Sequence, residues 1–379
     1  MSLRIAIIGN AMSTMVNFRA PLIRALVQSG HEVIAICPKG RAEDTVALAG
    51  TGARHVSLEG MSPRGLSPAS EIRVLRHLTA LLHDIRPDRV FAYFLKPVIW
   101  GSIAARRSGV PRCVGMIEGL GYAFSLPPAG RLRKLRQGLA RLAILALLKV
   151  ALRKIDHLIV LNRDDASLLL SYRLVSAARL TVLDGIGIDL DFYAPAPSHS
   201  SPVRFLLAAR LIREKGIELF VAAAREVRKQ YPDVRFRLLG GLDTQTEGLT
   251  VPLIESWVDE GLIEWPGQAE DVRPHLRESS VFVLPTLYRE GLPRSTMEAM
   301  AMGRAVITSD MPGAKSSMTH GVSGLIVPAG NLDALVAACR FFCRTPSEIE
   351  RMGLEAYAEA HRRYDLRRQN YQQIELIVN

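Results

Sequence analysis

The sequence predicts an α/β protein of two doubly wound domains, each a parallel sheet covered by helices on both faces. Three observations carry that expectation. Short, continuously apolar runs alternate with longer amphipathic stretches along the whole chain, the pattern of strands buried on both faces and of their crossover helices. The alternation breaks once, where residues 193–202 read Tyr-Ala-Pro-Ala-Pro-Ser-His-Ser-Ser-Pro, a linker composition, and then restarts. The chain's 379 residues are long for one domain and comfortable for two.

The elements follow in order. In a first domain over 1–190, apolar runs predict strands at 3–8, 32–36, 54–57, 89–92, 113–116, 157–161 and 180–183. Helical periodicity lies between most of them, as at 18–28 and 69–82. Pro87, Asp88 and Asp156 precede strands, and Gly30 and Gly109 close helices. A linker is expected over 191–202. A second domain over 203–360 has strands at 203–208, 235–239, 262–265, 281–284, 305–308 and 324–327, with helices at 216–230, 293–302 and 332–342. Residues 347–379 read as one or two further helices.

Composition narrows the function. Apolar content of 48% and charged content of 22% are ordinary for a soluble α/β protein. Cys37, Cys113, Cys339 and Cys343 form no C-x-x-C; Cys339 and Cys343 share a helix face and read as core, in keeping with a reducing cytosol. No leader is expected before the first strand, and the apolar run 142–148 is far shorter than the ~20 residues of a spanning helix. The net charge of +11 is uneven: residues 1–189 carry 26 Lys and Arg against 13 Asp and Glu, the remainder 22 against 24. A basic first half points to an anionic partner there.

Two motifs carry chemistry. Residues 290–298, Glu-Gly-Leu-Pro-Arg-Ser-Thr-Met-Glu, follow the strand 281–284. Pro293 suits a helix start, Gly291 admits close backbone approach, and free N–H groups near Leu292, Arg294 and Ser295 form an anion site. Glu290 and Glu298, flanking that turn, suit the hydroxyls of a sugar nucleotide. Residues 209–216, Ala-Arg-Leu-Ile-Arg-Glu-Lys-Gly, leave the first strand of the second domain, so Arg210 and Lys215 are expected to converge on one diphosphate.

Taken together, Arg210, Lys215-Gly216 and the Glu-x₇-Glu of Glu290 and Glu298 resemble family 4 of the retaining GT-B glycosyltransferases. Leu239-Gly240-Gly241 matches the same pattern, as do Asp184, Gly185, Gly187, Asp189, Phe192 and Pro195 before the linker. The resemblance implies two Rossmann-like domains facing a cleft, with the last helix, 361–379, crossing back to the first domain. It implies that Arg210 and Lys215 hold the donor diphosphate. Glu290 would contact the donor sugar beside the Gly291–Leu292–Pro293 backbone, Glu298 the ribose, and Gly9 and Asn10 the phosphate side of the first domain. The acceptor hydroxyl would attack the donor sugar from its front side, the departing phosphate oxygen taking the acceptor proton, with no catalytic triad, no metal and no cofactor beyond the nucleotide-sugar substrate, expected to be a UDP-sugar.

Many family members carry His after the fifth strand. Here residues 116–124 read Met-Ile-Glu-Gly-Leu-Gly-Tyr-Ala-Phe. Glu118-Gly-Leu-Gly is similar to the bacterial branch that extends polyprenyl-diphosphate-linked sugars, including N-acetylgalactosaminyltransferases. Glu118 would orient an acceptor hydroxyl, contact the donor sugar, or brace the glycine turn.

Residues 131–154 hold eight basic residues, no acid and an apolar middle. Such a segment suits an anionic membrane surface or a helix packed on the sheet with a solvated basic end. A lipid-diphosphate-linked acceptor would place its diphosphate near Arg131, Arg133, Lys134 or Lys96. Arg19 is expected to start the first helix, on its surface or toward the acceptor. The expected location is the inner face of the cytoplasmic membrane. Asp189-Leu190-Asp191 is formally D-x-D but lies within the glycine-rich junction, so no metal is expected. Competing readings are a GDP-sugar transferase, a sugar-nucleotide epimerase, and a nucleic-acid-binding module, which the absence of a recognition motif disfavours.

Overall fold

The computed structural model describes residues 2–61, 67–127, 130–242 and 249–379. The chain runs β1 (Arg4–Ile8), α1 (Met12–Gln28), β2 (Glu32–Cys37), α2 (Ala42–Ala49), β3 (Arg54–Ser57), α3 (Pro68–Ile85), β4 (Arg89–Tyr93), α4 (Leu95–Arg107), β5 (Arg112–Ile117), α5 (Arg131–Ala151), β6 (His157–Val160), α6 (Arg163–Ser171) and β7 (Leu180–Val182). It continues with β8 (Arg204–Ala208), α7 (Ile217–Arg228), β9 (Arg235–Leu239), α8 (Val251–Asp259), β10 (Glu264–Gly267), α9 (Arg273–Glu278), β11 (Val281–Leu284), α10 (Arg294–Ala301), β12 (Ala305–Ser309), β13 (Gly324–Val327), α11 (Leu332–Arg344), α12 (Ser347–Arg363) and α13 (Leu366–Val378).

Two units result, one of Met1–Ala123, Pro127–Gly187 and Arg367–Asn379, the other of Phe124–Leu126 and Ile188–Leu366. The first contains a seven-stranded parallel sheet of order β3-β2-β1-β4-β5-β6-β7. The second contains a six-stranded parallel sheet of order β10-β9-β8-β11-β12-β13. Each reverses direction beside its first strand, between β1 and β4 and between β8 and β11, which is where doubly wound sheets leave a crevice at their carboxyl ends. The apolar runs that predict strands lie in the cores: Ile5, Ile7 and Phe91 in the first unit, Phe205 and Phe236 in the second, all shielded from water. Phe236 packs between Phe205, tilted at 4.8 Å, and Phe220, edge-on at 5.3 Å, centroid to centroid.

Three expectations change. The strand expected at 262–265 is β10, two residues later. Leu262 N–H instead caps α8 by donating to the Trp257 carbonyl at 2.9 Å, and Pro266 is tolerated because β10 is an edge strand. The helix expected at 18–28 begins at Met12, so Arg19 sits within α1 rather than at its start.

The third change concerns the expected linker. From Ile188 onward that segment belongs to the second unit. Asp189 Oδ1 accepts the N–H groups of Asp191 at 3.1 Å and Phe192 at 3.0 Å, which folds the D-x-D stretch into a tight turn. The Arg273 guanidinium stacks 3.5 Å from the centroid of Phe192, and the buried Arg304 donates to the carbonyls of Ala196 and Pro197. Proline and serine leave the segment without secondary structure, and these two arginines bind it down as a strap.

At the other end of the chain, Arg367–Asn379 belong to the first unit. There Arg89 Nε and Nη2 donate to the Val378 carbonyl at 3.1 and 3.0 Å, and Arg112 Nη2 donates to that of Leu376 at 3.2 Å. These guanidiniums satisfy carbonyls that a helix C-terminus leaves open.

Candidate active site

In the second unit a cavity of about 500 Å³ opens where β8, β9 and β10 end. Arg210, Gly240, Gly241, Gln268, Ser295 and Glu298 are among its lining residues. Gly240 has φ +143°, and a Cβ there would lie 1.9 Å from the Ala209 carbonyl oxygen. Only glycine lets the turn after β9 pass this close to the turn after β8.

Glu298 is brought to the cavity by α10, whose N-cap is Pro293. Its residual exposure is 9%. Two donors meet one of its oxygens: Tyr193 Oη and Arg294 Nε both reach Oε1 at 2.8 Å. Arg294 lies one helical turn before Glu298, the i,i+4 spacing of a helical ion pair.

Glu290 sits in the loop between β11 and α10. Its Oε2 accepts from Lys215 Nζ at 2.6 Å, and the side chains are only 11% and 13% exposed. Lys215 ends a short 3₁₀ turn, and Gly216 follows with φ +77°. A Cβ on Gly216 would meet the Pro285 carbonyl oxygen at 2.1 Å. The two loops are also joined by Leu287 N–H, which donates to the Glu214 carbonyl at 2.7 Å. Arg289 N–H donates to Ser125 Oγ at 2.9 Å. The structure thus places Arg210 and Glu298 on the cavity, whereas Lys215 lies outside the cavity lining and holds Glu290.

In the first unit Gly9 and Asn10 lie at the carboxyl end of β1. A Cβ on Gly9 would fall 2.4 Å from the Tyr93 hydroxyl. Thr14 Oγ1 lies 3.1 Å from that hydroxyl and donates to Asn10 Oδ1 at 3.4 Å. Burial pushes the Tyr93 phenol well above its usual range. Glu118, just past β5, pairs with the Nη2 of Arg19. Arg19 is 1% exposed and lies 4.4 Å from the centroid of the Tyr93 ring. The surface position anticipated for Arg19 is therefore corrected: the Glu118 carboxylate and an aromatic face compensate its burial. Lys96 pairs with Glu71 at 2.7 Å, both largely shielded.

α5 holds its packed side on Gln137, Leu148 and Ala151. Leu132, Leu135, Leu139 and Leu142 are exposed by 62, 60, 58 and 66%. Their 3-4-3 spacing puts all four on one helical face. Arg131, Arg133, Lys134 and Arg136 are exposed around them. Cys37, Cys113 and Cys339 are buried, and Cys343 is packed against the second core.

Sequence reasoning missed Tyr193, Ser125 and Arg304. Tyr193 opens the stretch whose composition reads as linker, and none of the three is a motif residue. Their partners are distant in sequence: 105 residues separate Tyr193 from Glu298.

Comparison with known proteins identifies the family and the fold. Residues 4–162 match the family described as glycosyl transferase 4-like, and residues 202–344 match glycosyl transferases group 1. The chain belongs to the group 1 glycosyltransferases of GT-B fold, with a 4-like first domain. It is similar to the N,N'-diacetylbacillosaminyl-diphospho-undecaprenol alpha-1,3-N-acetylgalactosaminyltransferase of Campylobacter jejuni, 25% identical over 336 residues, or 85% of each chain. It is also similar to the UDP-Gal:alpha-D-GlcNAc-diphosphoundecaprenol alpha-1,3-galactosyltransferase of Escherichia coli, 24% identical over 73% of this chain and 71% of the relative. In structure it resembles sucrose-phosphate synthase from Thermosynechococcus elongatus, with a TM-score of 0.80 at 19% identity, covering 99% of this chain and 98% of that one.

Proposed function

We propose that this glycosyltransferase moves a sugar from a UDP-sugar to a saccharide carried on a polyprenyl diphosphate, with retention of configuration and without a metal ion. The observation that carries the donor side is the cavity at the carboxyl ends of β8 and β9, with Arg210 and Glu298 in its wall. A guanidinium offers forked hydrogen bonds to phosphate oxygens, a carboxylate accepts from ribose hydroxyls, and the turn at Gly240 permits close approach. UDP as the carrier, and a diphosphate-lipid acceptor, extend to this chain what the names of the relatives state.

In this reading the bond from the anomeric carbon to the diphosphate oxygen breaks as the acceptor hydroxyl attacks from the same face. The hydroxyl proton passes to the departing diphosphate. Arg210 offsets the charge gathering on the leaving group from the cavity wall, Lys215 adds its charge from beside Glu290, and Glu290 faces the sugar. Glu118, fixed by Arg19, is the carboxylate for an acceptor or donor hydroxyl. Gly9 and Asn10 supply the backbone of a phosphate loop in the first unit.

The test is transfer in the presence of EDTA. UDP- and GDP-sugars are offered with a short-chain polyprenyl-diphosphate-linked amino sugar, and the product's anomeric configuration is read by NMR. A UDP-sugar product of retained configuration is expected. Transfer only from a GDP-sugar, loss of activity with EDTA, or an inverted product would each overturn the corresponding part.

The same reading gives the exposed face of α5 an occupant, an anionic membrane surface. Four basic side chains at about 1 kcal/mol each amount to roughly two to three orders of magnitude in affinity. Replacing Arg131, Arg133, Lys134 and Arg136 by Gln should therefore release the protein from vesicles containing phosphatidylglycerol. Replacing Leu132, Leu135, Leu139 and Leu142 by Gln should weaken binding to vesicles of any charge. Cosedimentation reads both, and unchanged binding places the membrane face elsewhere. Among the described residues no helix is long and apolar enough to cross a membrane.

A further inference from the structure

Tyr193 stands on the strap, outside every motif, yet its hydroxyl donates to Glu298 Oε1 at 2.8 Å. Arg294 Nε donates to the same oxygen at 2.8 Å. Charge-assisted bonds of this kind are short and directional, and two of them on a single oxygen fix the rotation of a carboxylate. The surroundings hold the strap in contact. Tyr193 is 7% exposed, and its neighbour Phe192 is clamped by Arg273, which in turn bonds Asp271 at 2.7 Å. Burial, followed by the adjacent carboxylate, pushes the Tyr193 phenol well above its usual range. It therefore remains protonated and donates to Glu298.

We infer that Tyr193 and Arg294 are positioning residues for ribose selection: by engaging Oε1 of Glu298, they present Oε2 to the cavity as the acceptor for the hydroxyls of a nucleotide's ribose. The inference rests on the donor reading above and adds two residues to it. A carboxylate free to turn would meet the ribose diol in several orientations and lose part of the discrimination that a fixed acceptor gives. An unpaired buried acceptor is what penalises a ligand lacking the hydroxyl.

The experiment is calorimetric titration of the full chain with UDP, GDP and their 2′,3′-dideoxy forms. Wild type is expected to bind a ribonucleotide more tightly than its dideoxy form. Tyr193→Phe keeps the ring and removes only the donor. It should raise the Kd for the ribonucleotide about three- to tenfold, leave the dideoxy Kd unchanged, and have no effect on a Glu298→Gln background. Arg294→Met should move the same ratio in the same direction, and thermal midpoints check that both variants are folded. A merely structural role would weaken both nucleotides equally, and that result overturns the inference. So does a Tyr193→Phe loss that persists beside Glu298→Gln. Wild-type binding with no preference for the ribose overturns the inference and leaves the donor reading standing; no binding of UDP or GDP overturns both.

Discussion

Replacing Glu290 by glutamine is expected to lower kcat by about a hundredfold or more, with a thermal midpoint close to that of the parent protein. The side chain lies in the loop between β11 and α10, and Lys215 reaches its Oε2 at 2.6 Å with both groups nearly shielded. Glutamine has the same shape and still accepts from Lys215, so the loop keeps its hydrogen bond and loses only a charge. That charge matters most in the transition state. In the proposed reaction positive charge develops at the anomeric carbon as the diphosphate leaves, and Glu290 beside the sugar would stabilise that charge more than the neutral ground state. The loss should therefore appear in kcat and kcat/KM alike, while KM for the donor changes little. Steady-state kinetics beside a thermal melt make the measurement. Near-normal turnover would remove Glu290 from the chemistry, and a collapsed midpoint would make the Lys215 pair structural.

Replacing Arg304 by methionine is expected to destabilise the second unit by on the order of 3 to 5 kcal/mol. Arg304 is fully buried, and among the described residues its partners are carbonyls rather than acids. It donates to Met302 at 3.1 and 3.0 Å, Ser279 at 2.8 Å, Pro197 at 3.1 Å, and Ala196. Burial lowers its pKa to about 10, which leaves it cationic at neutral pH. Methionine fills most of the space and donates nothing, so the carbonyls of the strap lose their partner in a place water does not reach. For a domain of this size the loss corresponds to a fall of roughly 10 °C in the melting transition. Differential scanning calorimetry reads it, and a change of less than about 1 kcal/mol would mean that the strap is held by the Phe192–Arg273 stack instead.

Much of the fold was legible in the residues because the signal was local. Continuous apolar runs such as those of β1, β8 and β11 bury both faces of a parallel strand, and the strand bounds follow within a residue or two. β10 was displaced because an edge strand carries half the apolar pattern and its register shifts between Glu264 and Gly267. The motif residues were legible for a similar reason. Arg210, Glu290 and Glu298 follow strand ends at short spacing, so a loop and one helical turn place them. One pairing was not: the folded chain sets Lys215 against Glu290, 75 residues away, a contact that no local spacing announces.

By itself, then, the sequence determined the two parallel-sheet units, the strand–turn–helix sites that carry Arg210, Glu290 and Glu298, and the leucine and arginine content of α5. These depend on periodicity and on backbone chemistry within a few residues. The tertiary structure alone decided that Arg19 is buried against Glu118, that Arg304 binds the strap, that Tyr193 meets Glu298, and that the leucines of α5 face outward. Each of these is a balance between desolvation and a partner from a distant segment, and a charge or an apolar face declares its environment only when the segments that cover it have been brought into place.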